Sequence, residues 1–143
     1  MRIQKVKEYN NYMISFWSKM KDISDSMNSI IDLNELTEDD LAELMYMFAD
    51  CPYRVQYLSR TMFKSNHVFG NKKLEKSQIE SARHYAELVD DILAERNIVE
   101  QNISRDVPAE SLTDSEIAEI MEFLSQSLYR FAVARVKIAR NLK

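Results

Sequence analysis

Glycine, proline, cysteine and histidine are nearly absent from this chain. One glycine, Gly70, and two prolines, Pro52 and Pro108, serve 143 residues. So small a supply of turn-forming residues predicts long helices joined by few loops. The single cysteine, Cys51, admits no internal disulfide, and the expected compartment is the cytoplasm. That cysteine and two histidines, His67 and His84, do not make a zinc site of the usual composition. The paired Glu-x-x-His motifs of a di-iron bundle are missing as well. Without a glycine-rich phosphate loop or a G-x-S-x-G turn, nucleotide hydrolysis and α/β-hydrolase chemistry have no support. No metal and no cofactor are expected. No apolar run reaches about 18 residues, so no membrane span is expected. The opening Met1-Arg2-Ile3-Gln4-Lys5 lacks the apolar core of a secretory signal.

What the chain has is apolar residues at helical spacing and charge in blocks. Apolar residues make up 45% and charged residues 29%, the balance of a soluble globular protein, and the length predicts one helical domain over 1–143. The net charge of −4 is segregated. Residues 1–21 carry +4, 22–50 carry −9, 51–84 carry +5, 85–122 carry −9 and 123–143 carry +5. Two readings follow. Neighbouring antiparallel helices attract through complementary faces, or the positive blocks converge on an anionic partner.

The first predicted helix covers about 3–31. Val6, Tyr9, Met13, Phe16, Met20, Ile23, Met27 and Ile30 alternate spacings of three and four, the pattern of a coiled-coil seam, and Trp17 and Ile31 widen it. The second starts at Thr37, a good N-cap before Glu38, Asp39 and Asp40, with Leu36 and Leu41 placed as a hydrophobic staple. The third runs from Pro52 to about Phe69, and Gly70 reads as its C-terminal cap. The fourth covers about 74–99, leaving 100–112 as a long connection. The fifth starts at the capping box Thr113-Asp114-Ser115-Glu116 and carries Ile117, Met121, Leu124, Leu128, Phe131, Arg135, Ile138 and Leu142 on one seam. At about 1.5 Å per residue, the first and last helices would each run roughly 40 Å. The expected fold is all-α, an elongated bundle of about five helices with long heptad-patterned helices at both ends, self-associating through one seam.

Two surfaces stand out as candidates. Tyr53, Tyr57, Arg60, Lys64 and His67 follow spacings of four and three, so they share one stripe of the third helix, opposite Val55, Leu58 and Met62. Tyrosines interleaved with cations suit single-stranded nucleic acid, where bases stack on rings and cations meet phosphates. They suit a protein interface equally, and they also fit tyrosines half-buried against a neighbouring helix. The second surface is the C-terminal helix, where Arg130, Arg135, Lys137, Arg140 and Lys143 follow the last acid, Glu122. Cations there complement the helix dipole. Arg135 occupies a seam position, which predicts that it is partly buried and paired with an acid if the seam is real.

The segment Arg60-Thr61-Met62-Phe63-Lys64-Ser65-Asn66-His67 resembles the R-x(4–6)-H signature of the HEPN ribonucleases, which are all-helical and often dimeric. That resemblance implies RNA cleavage at a site built from Arg60 and His67 of two subunits. Thr61 departs from the Asn, Asp or His that commonly follows the arginine. Histidine moves protons near neutral pH and arginine stabilises developing phosphate charge, so the chemistry is coherent. The residues themselves favour a non-enzymatic, small cytoplasmic binding or regulatory protein. It would act on an acidic protein surface or single-stranded nucleic acid through Tyr53, Tyr57, Arg60, Lys64, His67, Arg130, Lys137 and Arg140. A HEPN-like ribonuclease and a structural coiled-coil assembly protein are the alternatives.

Overall fold

The computed structural model describes residues 2–32, 35–48 and 70–142. These form an all-α bundle of five helices: α1 (Arg2–Ile30), α2 (Glu38–Met47), α3 (Lys76–Asp106), α4 (Asp114–Phe123) and α5 (Leu128–Asn141). A 3-10 turn, Ala109–Ser111, precedes α4. Among the described residues the one β-type pairing is an isolated parallel bridge, Leu36 with Lys72. By contacts the chain divides into two compact units, Met1–Trp17 with Ala94–Lys143, and Ser18–Leu93. The predicted third helix, and with it the stripe Tyr53, Tyr57, Arg60, Lys64 and His67, lies outside the described residues.

The heptad pattern of α1 is a burial pattern. Val6, Tyr9, Met13 and Phe16 are buried in the first unit, and Met20, Ile23 and Met27 in the second. The stripe closes on Ile31 rather than Ile30, which stays partly exposed. A helix of this length is held chiefly by such a face, since propensity alone leaves helices marginal in water.

In the Ser18–Leu93 unit, Thr37 caps α2 as its sequence predicts: the hydroxyl accepts from Asp40 N at 3.3 Å, and Leu36 and Leu41 are both buried beside the cap. Asp40 Oδ2 accepts from Leu74 N at 2.9 Å, and Lys72 N donates to Glu35 O at 2.9 Å. The helix that Gly70 was expected to cap lies outside the described residues, and Gly70 itself has no positive φ. Its role is steric. A Cβ at this position would fall 2.6 Å from Glu35 Cα and closer still to the Glu35 carbonyl, so only glycine lets the two backbones meet.

In the other unit α3 extends past its predicted end at 99 to Asp106, because Ile103 and Val107 continue the buried face beyond the polar stretch Glu100-Gln101-Asn102. The expected long connection thereby shrinks to the turn around Pro108. The capping box of α4 forms as predicted: Thr113 N donates to Glu116 Oε1 at 2.9 Å and Glu116 N to Thr113 Oγ1 at 3.1 Å. The expected single C-terminal helix is broken. α4 ends at Phe123, and α5 starts after Ser127.

Candidate functional site: the outer face of the C-terminal helix

The break at 124–127 arises from polar groups that offer the backbone an alternative to helix. The Ser127 hydroxyl accepts from Arg130 N at 3.0 Å and caps α5. Asn10, buried on α1, takes Ser125 N on its Oδ1 at 2.8 Å. Trp17 Nε1 donates to Gln126 O at 3.2 Å, and Arg130 Nη1 donates to Leu124 O. The main-chain groups freed by the break thus find partners, as groups away from water must.

Three buried side chains then fix the rotation of α5. Glu100 is 6% exposed and stands at the start of the helix. Its Oε2 accepts from Tyr129 N at 3.2 Å, and its Oε1 accepts from the Tyr9 hydroxyl. A carboxylate facing first-turn N–H groups is also favoured by the helix dipole. Tyr129 packs edge-on to Tyr9, with ring centroids 5.7 Å apart, and its hydroxyl donates to Val107 O at 2.8 Å. Burial pushes the Tyr129 phenol up to about 12. The Tyr9 phenol is raised by burial first and by its bond to Glu100 second. Both remain neutral donors throughout the ordinary pH range.

With Tyr129 and Val133 turned inward, the heptad positions turn outward. Leu128, Phe131, Ile138 and Leu142 keep 60–83% of their surface exposed, and Arg135 in their midst is exposed and makes no ion pair with a described residue. This corrects the expectation that Arg135 is partly buried in a seam. Along α4 and its C-cap the predicted seam is only partly inside: Ile117 and Leu124 are buried, Met121 is half-buried, and Ile120, off the seam, is buried instead. Beyond the break the chain resumes in a different rotation, and the same spacing marks the opposite face. Trp17 of α1, exposed as Ile14 is, lies beside the loop from which α5 starts.

The cations predicted for this helix divide by role. Arg140 is engaged within the chain: Nη1 donates to Leu112 O at 2.7 Å and Asp114 Oδ1 at 2.9 Å, and Nη2 to Glu110 O at 3.0 Å. Arg130 is held by Leu124 O. Lys137 stays exposed with no ion pair to a described residue. The outer face of α5 therefore presents four large apolar side chains around the Arg135 guanidinium, which forms no ion pair with a described residue. Sequence reasoning placed these residues on one seam with those of α4 and missed the change of rotation between the two helices. The two serines flanking Gln126 were the available signal of a helix restart.

A second concavity, a groove of about 340 Å³ between α1 and α3, is lined by Tyr9, Tyr12, Val99 and Ile103 together with Lys5, Glu8, Asn102 and Asp106. Burial raises the Tyr12 phenol there, with the nearby Glu95 carboxylate adding to the effect. Among the described residues no three His, Cys, Asp or Glu side chains gather as metal ligands, and no helix is long and apolar enough to cross a membrane. Comparison with known protein families, curated proteins and solved structures gives no match.

Proposed function

We propose that this chain is a small non-enzymatic binding protein that docks an acidic protein partner through the outer face of α5. One observation carries the reading: the stripe Leu128, Phe131, Arg135, Ile138, Leu142 is apolar, helically spaced and exposed. Helices of soluble proteins normally present polar residues on the solvent side, and apolar faces left open mark interaction sites. α5 carries no acidic residue. Its field therefore favours a partner of negative charge.

A protein fits this surface better than single-stranded nucleic acid. A nucleic-acid track needs several free cations along the phosphates. Here Arg130 and Arg140 hold main-chain carbonyls, which leaves Arg135 and Lys137. The ribonuclease reading rests on Arg60 and His67, outside the described residues.

The test is affinity purification from the native host with wild-type protein and with the double variant Phe131→Ser/Ile138→Ser, identifying retained proteins and nucleic acids together. The reading expects an acidic protein retained by wild type, insensitive to nuclease and lost from the variant. Retention of RNA instead, or RNA cleavage that disappears in His67→Ala, would overturn it.

A further inference from the structure

The stripe has a shape as well as a sign. Its five positions span four turns with spacings of three, four, three and four, which is two heptads of a and d positions. The flanking e and g positions are Ala132, Ala134, Ala139 and Asn141. All four are small and uncharged, so another helix can approach closely and meets no charge on either shoulder. A stripe this narrow, bordered by alanines, matches a helix laid alongside; a sheet or flat surface would leave its ends uncovered. Charge selection then falls on the one seam position that is polar, Arg135.

Resting on the docking function proposed above, we infer that the partner element is a single amphipathic helix of another protein, with a carboxylate at the seam position facing Arg135. Charge complementarity decides against a second copy. A closed two-fold dimer must place the same patch on itself. In a parallel pair in register, and in the antiparallel pair that covers all five positions, Arg135 faces Arg135. The antiparallel register that pairs a with d keeps four layers, sets each guanidinium against Phe131 and leaves Leu142 uncovered, so no register of α5 on α5 offers Arg135 a carboxylate. No acid on α5 can neutralise the pair. A foreign helix with Glu or Asp at that layer converts the one unfavourable position into a charge-assisted hydrogen bond. It also fixes the register, as polar a-position residues do in coiled coils. Like charges at that layer reject the wrong helix.

The probe is a synthetic three-heptad peptide with leucine at a and d, except for glutamate at the central a position. A second peptide differs only in lysine there. Binding to the full chain is followed by isothermal titration. The proposal expects the glutamate peptide to bind at least about tenfold more tightly than the lysine peptide. It expects Arg135→Glu to reverse that order and Phe131→Ser/Ile138→Ser to abolish binding of both. These positions are exposed, so thermal midpoints near wild type confirm that the variants fold. Equal binding of the two peptides, or binding of neither, would overturn the inference. So would a dimer in light scattering that Phe131→Ser/Ile138→Ser converts to monomer, because the occupant would then be a second copy. If no peptide binds while the wild-type chain still retains an acidic protein that the double variant loses, the helical partner fails and the docking function stands. Loss of both sinks the two together.

Discussion

Replacing Glu100 with alanine is expected to destabilise the protein by about 3–5 kcal/mol. The carboxylate is 6% exposed and serves two buried donors, the Tyr9 hydroxyl and Tyr129 N. Leaving each donor without an acceptor costs about 1–3 kcal/mol. The one lost methylene adds about 0.8 kcal/mol. Relief of the desolvated carboxylate offsets part of this. The total is a large share of a typical stability of about 5–15 kcal/mol. Glu100→Gln is milder, about 1–3 kcal/mol, because the amide oxygen serves one donor while its NH2 meets the other. Tyr9→Phe is milder again, about 1–2 kcal/mol, since Glu100 keeps Tyr129 N. Urea melts followed by far-UV circular dichroism give the three values. In a double-mutant cycle, Tyr9→Phe must cost less in the Glu100→Ala background than in wild type. A Glu100→Ala variant within about 0.5 kcal/mol of wild type would show that this carboxylate faces water, and the account of how α5 is oriented would fail.

Other outcomes follow from single contacts. Gly70→Ala drives a methyl into the Glu35 backbone and should cost about 1–3 kcal/mol in the same melts; an unchanged midpoint would remove the close approach. Arg140→Ala strips charged hydrogen bonds from two main-chain carbonyls and should cost about 1–3 kcal/mol, whereas Arg135→Ala and Arg135→Met should stay within about 0.5 kcal/mol. The Glu116 carboxyl is held below its ordinary value of 4.5, by the Thr113 backbone N–H first and with Arg2 contributing. A depressed folded value stabilises the native state above the ordinary carboxylate pKa, and that stabilisation is lost as pH falls below it. Glu116→Gln should therefore flatten the acid limb of the stability profile, and an identical limb would mean that the capping box carries no pH dependence.

Where the sequence was legible, local chemistry and burial pointed the same way. The seam of α1 could be read because Val6, Tyr9, Met13, Phe16, Met20, Ile23 and Met27 are all inside, and one residue of error at Ile30 came from the end of a helix. Thr37 and Thr113 announced their helices because an N-cap acts within three residues of itself. The end of α3 was misplaced for the opposite reason. Glu100 looks like surface, and only Tyr9 and Tyr129, far away in sequence, make it a buried residue. The break after Phe123 was hidden likewise. Apolar spacing runs through it without a fault, while the groups that stabilise the broken backbone, Asn10 and Trp17, lie more than a hundred residues earlier. The candidate surface on α5 was therefore spelled out as a heptad yet read as one continuous seam with α4.

The outward turn of α5 is open to one direct measurement. In a Cys51→Ser background, single cysteines are introduced as Phe131→Cys, Ile138→Cys and Val133→Cys, and their rates of thiol alkylation are compared in the folded protein. Phe131 and Ile138 are exposed and Val133 is fully buried. The account predicts that the first two thiols react at close to the rate of a free peptide thiol, while the third is protected until the protein unfolds. Rapid labelling at 133 with protection at 131 and 138 would mean that the helix continues unbroken with its heptad facing inward, and the docking surface would not exist.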